Sequence, residues 1–174
     1  MSRTRFPTVF APNVERTTLN AQRSTHNPKR ANPQRAMSSY QDRIEISTTG
    51  HSDMHDLTEP VTQIVQASGI ETGLAHVHNV GSTGAVGTIE FEPGLQQDLP
   101  EVMDEIAPPE RGYAHEQRWH DGNGHSHVQA TTLGPSITVP VGDGAPILGT
   151  WQQIFHLECD VKPRERTIVV TVQE

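Results

Sequence analysis

A chain of 174 residues with one cysteine and a formal charge of −8 has room for one domain with a real core, and it excludes an internal disulfide or a cysteine-rich zinc module. Aromatic residues make up 5% and mean hydropathy is −0.56, so the core has to rest on short runs of Val, Ile and Leu. No apolar stretch approaches the roughly 18 residues a spanning helix needs and no charged-then-apolar leader opens the chain, which leads us to expect a cytoplasmic protein with no membrane partner.

Charge is unevenly spread. Residues 1–36 hold seven Lys and Arg against the single acid Glu15, whereas the remaining 138 residues hold six bases and twenty acids. Such an acidic folded part opposes nucleic acid as a partner, because phosphate binding draws on dense Arg and Lys. The stretch 1–37 shows neither helical nor strand periodicity and is rich in Arg, Asn, Thr and Pro, so it is expected to be a disordered basic N-terminal extension. It reads as a basic arm, as a transit-like presequence or, the reading we prefer, as an upstream extension of a domain that starts at Met37. Ordered patterning begins immediately after that methionine, which makes 38–174 the domain.

RIEIST alternates Ile44, Ile46 and Thr48 with Arg43, Glu45 and Ser47, as a half-buried strand does. HDLTEPVTQIVQASG then places Leu57, Val61, Ile64 and Val65 on one helical stripe, with Thr58 as N-cap, Pro60 in the first turn and Gly69 as the stop. GLAHVHNV reads as a strand, GSTG as a turn and AVGTIEFE as a second strand, on which Glu90 and Glu92 would face the same way. From Pro93, the residues Leu95, Leu99, Val102, Met103 and Ile106 repeat at helical spacing, and Pro100 predicts a kink or two short helices meeting near Asp98. Asn123 is placed to cap a further helix. SITVPV, a GDG hairpin turn, LGTWQQIFHLEC and RTIVVTV complete a β-rich tail, with Pro140 suited to an edge or a bulge. Many strands with few interspersed helices predict an α+β fold, a single-domain α/β sandwich with a mainly antiparallel sheet.

Nucleotide motifs of the GxxxxGK[ST] and GxGxxG kinds are absent from the sequence. GSTGAVG offers the Ser82 and Thr83 hydroxyls and neighbouring amides to an anionic group, although it is also an ordinary β-turn. Histidine supplies the strongest signal: His115, His120, His125 and His127 fall within thirteen positions. Imidazole is both the commonest transition-metal ligand and the natural acid or base near neutral pH, so the cluster marks a candidate site. In a strand His125 and His127 would point together, whereas in a helix they diverge by about 200° and have different jobs. Glu90 and Glu92 can bind a divalent cation or face solvent, and Asp98 is a third acidic candidate. Cys159, in the strand-like FHLECD, reads as a buried, inert thiol.

The run PSITVPVGDGAPILGTWQQI, preceded by NGHSHVQA and followed by PRERTIVVTV, resembles the signature of the YjbQ-like family, described as secondary thiamine-phosphate synthases. The likeness spans roughly residues 42–174 and matches Ser136, Pro140, Gly144, Gly149, Thr150, Trp151 and Gln152 in type and spacing. It implies a compact α/β sandwich assembling as a homotrimer, with a site near subunit contacts built from Asn123, His125 and His127, from the Thr83–Ala85 turn, and from Asp98. The implied reaction joins hydroxymethylpyrimidine diphosphate to a thiazole phosphate with loss of pyrophosphate. On this reading Asn123, His125, His127 and Asp98 are catalytic, and Ser82, Thr83, Glu90, Trp151 and Gln152 bind small phosphorylated substrates. A diphosphate leaving group demands cationic stabilisation, and few bases stand near the motif beyond Arg111 and Arg118. A divalent ion, Mg²⁺ or Zn²⁺, is therefore expected on His120, His125, His127 and Glu92. One position departs from the family pattern: Gly81 stands where many members have histidine, so this chain either recruits another, with His78 and His120 as candidates, or does different chemistry. Two other readings stand beside the synthase, namely a metal-dependent hydrolase or lyase and a non-catalytic trimeric module that binds a metal or phosphorylated ligand.

Overall fold

The structure is a computed structural model that describes residues 38–174; the readings for 1–37 lie outside the described residues. The chain forms a mixed helix and antiparallel-sheet domain, as expected. Strands β1 (Ser39–Ser47), β8 (Glu165–Gln173), β3 (Thr72–Asn79), β5 (Ser136–Gly142) and the two-residue β6 (Ala145–Pro146) lie side by side in that order. A second sheet orders β2 (Met54–Asp56), β7 (Gln153–Glu158) and β4 (Gly84–Ile89). Every pairing in both sheets is antiparallel.

Period-two alternation decides which side chains meet between the sheets. From β8, Arg166, Ile168, Val170 and Val172 are buried while the residues between them are only half-buried. Ile168, Val170 and Val172 join Ala75 and Val77 of β3, Val139 and Val141 of β5, Val86 of β4 and Ile154 of β7 in one core, which helix α1 (Thr58–Ser68) closes with Val61, Ile64 and Val65. The opposite face of β7 presents Phe155 and Leu157, continued by Cys159, to a second cluster with Leu99 of helix α2 (Pro93–Ile106) and with Ala130 and Leu133 of helix α4 (Gly124–Leu133). A short helix α3 (Glu116–Trp119) precedes α4. The three-stranded sheet is thus a middle layer buried on both faces, which is why β7 reads as a near-continuous buried run. Cys159 is fully buried, and burial, followed by the adjacent Glu158 charge, pushes its thiol up to about 12, in keeping with an inert role.

Several local expectations need correcting. Helix α2 runs through Pro100 as one helix, so the alternative of two short helices meeting near Asp98 is not formed. The missing N–H removes only one bond, and burial of Pro100 and Met103 holds the turn together. Strand β4 ends at Ile89, so Glu90 and Glu92 do not share a strand face; Glu92 is the N-cap of α2, its carboxylate accepting from Gly94 N (2.8 Å) and Leu95 N. Thr58 does not cap α1. Asp56 Oδ1 accepts from Thr58 N, and the Thr58 hydroxyl instead accepts from Ile154 N of β7 at 2.9 Å. Pro140 behaves as expected beside an edge: its carbonyl accepts from Ile147 N, so its donorless nitrogen faces the same side, away from β3, where β6 pairs only with Val141 and Gly142.

Candidate active site

Ionisable residues in phase with the apolar face carry the site's foundation. On β8 Arg166 points inward with Ile168, and on β7 Glu158 points inward with Ile154 and His156. They meet in a bidentate pair, Arg166 Nε to Glu158 Oε2 at 2.6 Å and Nη2 to Oε1 at 2.5 Å, with Glu158 fully buried. Removing both charges from water is costly, and the structure answers with further donors. Thr48 Oγ1 donates to Glu158 Oε2, and Asp160 N donates to Oε1. Arg166 Nη2 also donates to Thr83 Oγ1 (2.8 Å), whose own proton goes to Asp160 Oδ2 (3.0 Å). Arg164 completes the chain on Asp160 through Nε (3.0 Å) and Nη2 (2.8 Å). Burial works against the Asp160 charge, but the bonds from Thr83 and Arg164 hold its carboxyl below the usual value.

Above this network lies an open cavity of about 520 Å³. One wall is the Gly81–Thr83 turn with Asp160, Arg164 and Arg166; the other is formed by His115, Trp119, Asp121, Asn123 and His127. The second wall is a loop shaped by Glu116, whose two carboxylate oxygens accept from Gly122 N (2.7 Å) and Gly124 N (2.8 Å). That bond takes over the capping expected of Asn123, whose side chain makes no cap bond at the start of α4. Within the wall the His115 and His127 ring centroids stand 4.7 Å apart, and His115 Nε2 stands 3.4 Å from Asp121 Oδ1. A smaller cavity of about 280 Å³ adjoins it, sharing Gly81, Ser82 and His127 and reaching Ala130, Thr131 and Pro135.

Of the residues expected from sequence, the cavity gathers Ser82, Thr83, Asn123 and His127. Ser82 is exposed, with its hydroxyl unengaged among the described residues, whereas the Thr83 hydroxyl is taken up by Arg166 and Asp160. His125 and His127 diverge on α4, as helical geometry requires. His125 is 2% exposed, packs edge-on against His51 at 5.2 Å and does not line the cavity; burial, with the His51 charge adding to it, pushes its imidazole below the ordinary value. His51 Nε2 in turn meets Asp104 Oδ1 at 2.9 Å, and Gln129 Nε2 donates to the same oxygen. Asp104, not Asp98, is therefore the α2 acid tied to this histidine cluster; Asp98 is exposed and away from the cavity.

The expected metal set His120, His125, His127 and Glu92 is not brought together. His120 is exposed in a left-handed conformation (φ 55°) at the end of α3, His125 and His127 leave α4 on different sides, and Glu92 is committed to its cap. Among the described residues, no three His, Cys, Asp or Glu side chains stand at ligand geometry. Glu90 and Trp151, which is 71% exposed, also lie outside the cavity, and Gln152 bonds Thr88 Oγ1 and Gly149 N.

Arg164, Arg166, Glu158, Asp160 and Asp121 were not anticipated, while His115 stood out only as a member of the histidine cluster. The signal for Arg166 and Glu158 was present, since each keeps step with the buried residues of its strand and a charge in that phase calls for a partner. The structure also accounts for Gly81. Its φ is 153°, and a Cβ there would stand 2.9 Å from Arg166 Nη1, the guanidinium nitrogen left over by the Glu158 and Thr83 bonds. In this chain an arginine edge approaches the turn where a larger side chain would otherwise project.

A family model described as "UPF0047 protein YjbQ-like" matches residues 42–174. A UPF0047 protein of Methanothermobacter thermautotrophicus is 36% identical over 136 residues, covering 78% of this chain and 93% of that protein. The Bacillus subtilis UPF0047 protein YugU is 35% identical over 129 residues, with 73% and 94% covered. A crystal structure of a protein of unknown function from Sulfolobus solfataricus superposes with a TM-score of 0.74 at 36% identity, covering 79% of this chain and 99% of that one. One from Aeropyrum pernix, at 32% identity, gives 0.70 with 76% and 97% covered. This chain belongs to the YjbQ-like UPF0047 family.

Proposed function

We propose that the cavity is a thiamine-phosphate synthase-like site, joining hydroxymethylpyrimidine diphosphate to a thiazole phosphate with loss of pyrophosphate. The observation that supports it is the pair of adjoining cavities sharing Gly81, Ser82 and His127, room for two small phosphorylated substrates side by side. In this reaction the bond between the pyrimidine methylene carbon and the diphosphate oxygen breaks, and the diphosphate leaves with the electron pair. The thiazole nitrogen supplies the pair for the new carbon–nitrogen bond. The free edge of Arg166, Arg164 and the Ser82 hydroxyl stabilise the departing charge, with the His115 and His127 wall facing it across the cavity. Trp119, 61% exposed with the Arg118 guanidinium 5.2 Å from its ring centre, offers a flat surface to a heteroaromatic ring. Both arginines are already paired with acids, so a bound divalent ion, Zn²⁺ or Mg²⁺, would supply the net positive charge the leaving group needs.

We place this activity in a cytoplasmic homotrimer. Among the described residues no helix is long and apolar enough to cross a membrane. The signature residue Trp151, exposed and away from its own chain's cavity, is available to a neighbouring subunit. Sedimentation analysis tests the trimer, and pyrophosphate release from the two substrates by the full chain tests the reaction. Arg164→Ala and His127→Ala are each expected to lower kcat/KM by about 10²-fold or more; unchanged turnover in both removes the assignment. A metal-dependent hydrolase or lyase on a small phosphorylated substrate is the second reading, supported by the His115 Nε2 and Asp121 Oδ1 atoms, which are buried without a hydrogen-bond partner. Phosphate or metal binding with no turnover of any kind favours the non-catalytic module.

A further inference from the structure

We propose that His115, Asp121 and His127 bind a divalent transition-metal ion of the zinc class at the loop wall of the cavity. His115 Nε2 and Asp121 Oδ1 are both buried, stand 3.4 Å apart, and are too poorly aligned to hydrogen-bond to each other or to any other described group. A cation that accepts a lone pair from each would satisfy both atoms at once. A tetrahedral ion with bonds of about 2.0–2.1 Å holds its ligand atoms about 3.3–3.4 Å apart, which is the spacing observed.

The third ligand would be the His127 imidazole, its centroid 4.7 Å from that of His115 and tilted 53° to it; as they stand the three side chains are not at ligand geometry, so binding requires His127 to turn toward the pair. Asn123 adds an independent pointer. It lines the same cavity, is 5% exposed, and its Oδ1 has no hydrogen-bond partner among the described residues. Imidazole with a carboxylate suits zinc and its first-row neighbours better than Mg²⁺, which prefers an all-oxygen shell. The Glu116 carboxylate, by bonding Gly122 N and Gly124 N, fixes the backbone between Asp121 and α4 and so holds the ligands in place. The open side of the ion would face the cavity.

This set differs from the one expected from sequence in drawing on His115 and Asp121 in place of His120, His125 and Glu92. It concerns the same cavity as the synthase reading but stands on the geometry alone, so it is tested without substrate. Metal-stripped full-length protein is titrated with Zn²⁺ by calorimetry and with Co²⁺ by visible absorption. The expected result is one ion per chain with the intense visible bands of low-coordinate Co²⁺. His115→Ala, Asp121→Asn and His127→Ala should each weaken binding more than about 100-fold, beyond the 10–100-fold typical of supporting residues. His120→Ala and Glu92→Gln should leave it unchanged. Asp121→Asn is nearly isosteric, and circular dichroism of each variant confirms that the fold persists. Wild-type protein that binds neither ion, wild-type affinity in His115→Ala and Asp121→Asn, or a loss confined to His120→Ala and Glu92→Gln would each overturn the proposal. Binding without turnover leaves it standing and counts only against the synthase.

Discussion

His156 lies fully buried between the two sheets, in phase with Ile154 and Glu158, and neither of its ring nitrogens has a hydrogen-bond partner among the described residues. Burial lowers its pKa from 6.5 to about 4, against the opposing pull of the Glu158 charge. The folded protein therefore carries a neutral imidazole where the unfolded chain picks up a proton, and stability falls as pH drops from about 6.5 to about 4. At about 1.4 kcal/mol per pKa unit, this one group removes about 3 kcal/mol across that window and nothing further below it. The measurement is urea denaturation at a series of pH values between 8 and 3.5 for wild type and His156→Leu. Acid loss from His125, whose imidazole is also lowered, is common to both proteins, so the difference between the two curves isolates His156. His156→Leu should lose about 3 kcal/mol less than wild type on acidification, whatever its stability at pH 8. Parallel curves, or a folded-state His156 resonance titrating near 6.5, would refute the reasoning.

Arg166→Met leaves Glu158 buried and uncompensated, and chemical denaturation should show a loss of about 3–5 kcal/mol, with much of it recovered when Glu158→Leu is added. Gly81→His is expected to destabilise by about 1–3 kcal/mol and to weaken binding of inorganic pyrophosphate, because its Cβ displaces Arg166 Nη1; tighter pyrophosphate binding would contradict the role assigned to that arginine edge. Gly84→Ala places a Cβ 2.7 Å from His156 Nε2 and should cost about 1–3 kcal/mol in a thermal or urea melt. Cys159, with its thiol near 12 and no exposure, should be inert to a disulfide reagent in the folded protein at neutral pH and react fully in denaturant.

Much of the fold was legible in local pattern. The alternation in RTIVVTV and RIEIST, the stripe Leu57, Val61, Ile64 and Val65, and the turn at GSTG each appear where the spacing placed them, because the side-chain period of an element is a property of the chain itself. Local rules failed where packing supplied a better partner. Thr58 gives its hydroxyl to β7 instead of capping its helix, and α2 passes through Pro100 because the surrounding contacts outweigh one missing bond.

For the site, the sequence by itself determined that the histidine-rich stretch from 115 to 127 and the Ser82–Thr83 turn matter, and that His125 and His127 would part company once α4 formed. Only the tertiary structure decided which partners they meet. It moved His125 to a buried contact with His51, brought His115 and Asp121 to His127, and carried Arg164 and Arg166 from the far end of the chain to the turn at residue 81. The physical reason is range: periodicity and capping act within a few residues, whereas the Arg166–Glu158–Thr83 network joins β8, β7 and the turn before β4. That network exists only when two antiparallel sheets close over one another and the cost of burying a charge has to be met by whatever lies opposite.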